Sequence, residues 1–109
     1  MAYSEALVKR VRKVLADVDG VVERKMFGGV CFMINGNMCC GVSEEELLLR
    51  LGPERTRRAL NEPHTRKMDM TGRVIKSMLF VGPEAIRSPA GLMKWLNNAV
   101  DFVSQLPPK

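Results

Sequence analysis

Three cysteines and one histidine are the residues of this chain best suited to chemistry. A cysteine does nucleophilic or redox work as the thiolate, which needs a neighbouring base or cation. Cys31 on one side, and Cys39 and Cys40 on the other, flank Asn35-Gly36, the strongest short-range hairpin signal. A type I′ turn needs positive φ at both central residues, and Asn-Gly supplies it. Counting outward from that turn, Met33 faces Met38, Phe32 faces Cys39 and Cys31 faces Cys40. The last pair falls at a non-hydrogen-bonded position, where Cα atoms approach to ~4.5 Å. That is the short edge of disulfide geometry, so Cys31 and Cys40 form a candidate redox pair. The competing reading is core packing, because free cysteine is among the most buried residue types and Met33 and Met38 continue the same face. Structural zinc is not expected: it needs four ligands in paired short spacings, and adjacent Cys39-Cys40 point to opposite faces of a regular strand.

His64 stands in Asn61-Glu62-Pro63-His64, a loop between basic residues, with no third group placed to orient its imidazole for a Cys–His pair. Gly28-Gly29 is followed by strand rather than helix, so it resembles neither a Walker A loop nor a dinucleotide fingerprint. Glycines that permit a bulge or tight turn explain it. The expectation is a non-enzymatic chain with no catalytic residue, no metal and no cofactor.

Charge is the other chemical resource. The net charge is +5 but lopsided: residues 1–54 carry seven basic against eight acidic side chains, residues 55–109 ten against four. Between Arg55 and Lys76, seven cations face only Glu62 and Asp69. Such an excess attracts anions, either an acidic protein surface or phosphates. Phosphate binding through the basic 55–76 region is the second reading, that of a DNA-binding accessory protein. Against it, no aromatic residue lies between Phe32 and Phe80 to interleave with the cations as a stacking platform. The amino-terminal cluster Lys9, Arg10, Arg12 and Lys13 has Glu5 and Asp17 at four-residue spacings, which reads as an internally paired helix face.

The elements that would position these residues follow from periodicity. Leu7, Val8, Val11, Val14, Leu15 and Val18 recur at three- and four-residue steps, predicting a helix over residues 4–18, capped by Ser4 and ended at Asp19-Gly20. Short strands follow at residues 21–25, 30–34, 37–42 and 46–51. Gly52-Pro53 opens a short helix through Leu60, proline being suited to a first turn. Residues 73–81 read as a strand with which the segment around 67–70 pairs, and Gly82-Pro83 and Ser88-Pro89 bracket a helical turn. Ala90–Leu106 carries Leu92, Trp95, Leu96, Ala99, Val100, Val103 and Leu106 on one stripe and stops at Pro107-Pro108. This order indicates a single α+β domain over 1–109, a mainly antiparallel sheet flanked by amino-terminal, short middle and carboxy-terminal helices.

At 109 residues and 46% hydrophobic, the chain suits one core and is too apolar for disorder. No run reaches the ~18 apolar residues of a membrane span. Its start lacks the pattern of a secretory signal, so the cysteines are expected to be reduced and the protein cytoplasmic, with no membrane partner.

Four segments carry a wider likeness: Lys25-Met26-Phe27-Gly28-Gly29; Asn35-Gly36-Asn37-Met38-Cys39-Cys40-Gly41-Val42; Leu49-Arg50-Leu51-Gly52-Pro53-Glu54; and Met68-Asp69-Met70-Thr71-Gly72-Arg73. In order and spacing they resemble the amino-terminal domain of the TfoX/Sxy family, and the resemblance covers nearly the whole chain. It implies a secretion-chaperone-like fold, one antiparallel sheet flanked by helices, of a kind that often forms homodimers. It also implies regulation of competence for DNA uptake, exercised with a transcription activator. The chain is then expected to be a small stand-alone member without the family's second, helical domain. No catalytic residues come with the likeness. The resulting expectation is a regulatory module acting by protein–protein contact, with Lys25, Arg50, Arg55, Arg57, Arg58, Arg66, Lys67 and Arg73 facing an acidic partner.

Overall fold

The structure, a computed structural model, describes residues 3–26, 28–70 and 72–109, with Met70 described by its backbone alone. Phe27 and Thr71 of the quoted segments lie outside the described residues. Helix α1 (Glu5–Val14) starts where Ser4 Oγ accepts the Leu7 N–H at 3.1 Å. It ends earlier than the apolar repeat suggests. Leu15–Asp17 tighten into a 3₁₀ turn that still buries Leu15, and Gly20 at φ +80° redirects the chain. Strands β1 (Val21–Met26), β2 (Gly29–Ile34), β3 (Asn37–Ser43) and β4 (Glu46–Arg50) follow in succession. Asn35 (φ +51°) and Gly36 (φ +85°) both take the left-handed conformation that the expected hairpin turn requires.

Pro53 then opens α2 (Pro53–Ala59), β5 (Thr65–Met70) and β6 (Arg73–Val81) form a second hairpin, and α3 (Pro83–Ile86) leads into α4 (Pro89–Val103). Leu106 is held in a turn after α4 rather than inside it, its N–H donating to Val103 O at 3.0 Å. The six strands form one antiparallel sheet in the order β1-β2-β3-β4-β6-β5. β6 rather than β5 pairs with β4, so the connection through α2 skips one strand position and β5 becomes an edge. The α+β architecture expected from the sequence is the one observed.

Strand alternation divides the sheet into two unlike faces. One presents Val30, Phe32, Ile34, Cys40, Val42, Leu47, Leu49, Leu79 and Val81, all buried. These pack with Leu7, Val11 and Leu15 before β1 and with Leu92, Trp95, Leu96, Ala99 and Val103 of α4 in a single core. α4 lies across β3 and β4, α1 touches α4, and α2 packs on β6.

The cysteine register differs from the expectation. Met33 does face Met38, but Phe32 faces Cys40, so Cys39 is an extra residue on β3. This is a β-bulge, which lets two consecutive side chains escape strict alternation. Cys39 and Cys40 both join the main core, and beyond the bulge Cys31 faces Gly41, not Cys40. The candidate redox pair is therefore not a cross-strand pair: the inserted residue shifts every partner by one. Burying both Cys39 and Cys40 is the packing gain that accompanies the irregularity.

Candidate partner-binding face

The thiols are the strongest nucleophiles the chain carries. All three are free and buried. The Cys40 thiol is pushed well up from its ordinary range, first by its hydrogen bond with Cys39 and then by burial, with both Cys39 and Cys31 adding to the shift. Burial also pushes Cys31 up. Both shifts move away from the thiolate that redox or nucleophilic chemistry uses. His64 sits in an exposed loop at φ +66°, its Nδ1 3.8 Å from a Glu84 carboxylate oxygen.

The eight cations singled out from the sequence occupy different parts of the molecule. Lys25 lies on edge strand β1, in a depression shared with Tyr3, Val8 and Arg12, while Arg12 ion-pairs with Glu23. Arg55 turns toward α4, donating to Asn98 O at 3.0 Å and to Asp101 at 2.8 Å, with Arg58 beside the same groove. Arg57 pairs with Glu54 one helical turn away. Arg57 and Lys67 meet, together with Lys76, around a cleft of about 410 Å³ between α2 and the β5–β6 hairpin, floored by Leu60, Ile75 and Met78. Arg73 is exposed where β6 begins. Arg50 and Arg66 belong elsewhere, on the sheet face opposite the main core.

That face is legible from the register. One row crosses all six strands: Arg24, Cys31, Gly41, Leu48, Phe80, Arg66. Beside it run Val22, Met33 and Met38, with Arg50 of β4 donating to Met38 O at 3.4 Å. On the other side lies Met26 at the end of β1. Val22 is 53% exposed, and Met33, Met38, Leu48 and Phe80 are only half-buried. Cys31 and Met68 are buried yet stand outside the main core. With Met26, Gly41, Leu48 and Phe80 they line a hollow of about 210 Å³ on this side of the sheet. Among the described residues, no helix contributes to that lining.

Gly41 makes the hollow. A Cβ there would meet Val30 O at 3.2 Å and Cys31 Sγ at 3.4 Å, with Met38 Cε at 3.7 Å, so the thiol and the thioether lean into the space the glycine leaves. Four of the chain's eight methionines, Met26, Met33, Met38 and Met68, gather on this face, and thioether side chains adapt to irregular apolar partners. Arg66 is already engaged: it forks onto Glu46, with Nε to Oε2 at 3.0 Å, and lies 4.2 Å above the Phe80 ring. Arg24 and Arg50 have no carboxylate partner among the described residues.

Sequence reasoning named Arg50 and Arg66 but missed Arg24 and the apolar character of the face. The signal was present in the alternation of Val22-Glu23-Arg24-Lys25-Met26, but only the pairing with Met33 and Cys31 shows that its first, third and fifth residues belong with the methionines. Among the described residues no helix is long and apolar enough to cross a membrane. Neither the curated proteins nor the solved structures returned a match. A family model described as the TfoX N-terminal domain matches residues 13–103, most of the chain and all six strands. The likeness in its four short segments thus extends across the whole sheet, and the chain belongs to the TfoX N-terminal domain family.

Proposed function

We propose that this protein is a non-enzymatic regulatory module that works by binding a protein partner on the open face of its sheet. The observation that carries the reading is the methionine-lined face itself, half-exposed beside two arginines without carboxylates. An apolar face rimmed by polar groups is what soluble proteins keep for contacts. The setting proposed with it, for which membership of the TfoX N-terminal domain family is the support, is regulation of transcription of the competence type in the cytoplasm. The test is a pull-down with three baits. Met33→Glu is expected to abolish capture of whatever the wild-type bait retains, while leaving the melting temperature within a few degrees. Arg57→Glu with Arg58→Glu, on α2, is expected to leave capture intact. Retention by Met33→Glu overturns the reading.

A second reading, phosphate contact, draws on the cleft where Arg57, Lys67 and Lys76 converge. It predicts binding to double-stranded DNA whose log affinity falls by roughly 0.9 per decade of salt for each phosphate neutralised. Fluorescence anisotropy at low salt decides it, since absence of binding there eliminates this reading.

A further inference from the structure

We infer that the occupant of the open face is an amphipathic helix whose apolar stripe is flanked by acidic residues. The inference rests on the reading of that face as the partner site and specifies the chemistry of what binds.

The face, rather than an edge, is what the partner must cover. An extended peptide joins a sheet at its edge through main-chain hydrogen bonds, whereas a face takes the apolar stripe of a helix, as α4 covers the opposite side here. The apolar centre is Met33, Met38, Cys31 and Leu48 around the gap at Gly41. Its charge is one-sided. Arg66 is matched by Glu46 and also feels Asp69 of the hollow's lining, but among the described residues Arg24 on β1 and Arg50 on β4 bracket the centre without a carboxylate partner. They stand three strands apart and one row offset, roughly 15 Å by ordinary strand spacing. A helix rises 1.5 Å per residue, so carboxylates roughly ten residues apart, three turns along one side, reach both arginines.

The same charges argue against two other occupants. A second copy seated face to face brings four arginines into one apolar contact against only the Asp69 carboxylate at the rim of each hollow, so positive charge stays in excess. A nucleic acid satisfies the arginines but leaves the methionines facing sugar and phosphate, and the one aromatic ring on the face among the described residues, Phe80, already lies under Arg66.

The experiment uses the full chain labelled with carbon-13 at the methionine methyls. It is titrated with a synthetic helix carrying leucines at i, i+3, i+4 and i+7 and glutamates on its flanks, then with a twin bearing lysines in place of glutamates. The expected result is that the glutamate helix shifts the methyls of Met26, Met33, Met38 and Met68. Met93, 49% exposed on α4, reports the helix layer and stays unmoved. The lysine twin binds at least about ten-fold more weakly, and Arg24→Glu weakens the glutamate helix by about five-fold, the scale of a rim ion pair. If the lysine twin moves the same methyls with equal affinity, the acidic chemistry is overturned and the face survives as the partner site. If neither helix moves those methyls, or Met93 responds instead, the helix is overturned as occupant. In that case the pull-down with Met33→Glu decides separately whether the face itself stands.

Discussion

At the scale of single residues, the buried thiols couple stability to pH. In the folded chain Cys40 holds its proton well above the ordinary thiol range and Cys31 is also shifted up, whereas in the unfolded chain they ionise near pH 8.5. Their contribution is fully present below that pH and is lost as pH rises, because only the unfolded state gains the charge. The slope is at most about 1.4 kcal/mol per pH unit for each thiol. Melting temperatures measured from pH 7 to 10 are expected to fall, and Cys40→Ala to flatten the fall even though the cavity lowers stability overall. A thiol reagent at pH 8 is expected to label Cys39 and Cys40 at the rate of unfolding. Labelling at the rate of a free thiol contradicts their burial.

At the scale of elements, the junction between β4 and α2 is a tight joint. Gly52 is buried at φ +84°, and a Cβ added there would drive into the Phe102 ring of α4. Its N–H and that of Leu51 both donate to Ser77 O, tying the turn to β6 at 3.1 and 3.0 Å. Gly52→Ala combines left-handed strain of about 1–2 kcal/mol with overpacking of about 1–3 kcal/mol. A loss of at least about 2 kcal/mol in urea unfolding is the expected outcome, and an unchanged midpoint refutes the account. The Gly-Pro signal itself was plain in the sequence, as were the Asn35-Gly36 turn and the stripe of α4. These rest on backbone needs or periodicity that a short window contains. The bulge at Cys39 was not, because one inserted residue changes no local pattern and is decided by whether two thiols fit the core across the sheet. The adjacency of β4 and β6 was equally hidden. Both hairpins are local, but how they join depends on contacts more than twenty residues apart in the chain, such as Leu49 with Leu79.

At the scale of the whole molecule, 109 residues suffice for two layers, helices on a sheet, with one core between them. That leaves the second face of the sheet, among the described residues, as a large strand-built surface with no helix over its hollow, and it explains why the candidate site is apolar without being core. The positive charge read as one patch is instead divided among the sheet face, the α2–α4 groove and the α2–hairpin cleft. The reason is periodicity: Arg55 and Arg58, three residues apart, line one groove, whereas Arg57 between them turns to the other side of the helix.

The two rims of the sheet bear on how the protein behaves when concentrated. β1 carries Glu23, Arg24 and Lys25 in succession, and β5 is broken by a register shift between Lys67 and Met68. Charge on one rim and irregularity on the other both resist strand-to-strand growth. Crowded solutions are therefore expected to stay free of fibrils, and light scattering with increasing concentration should report net repulsion that weakens as salt is added. With both rims guarded, a flat apolar face can stay available without the protein polymerising through its edges.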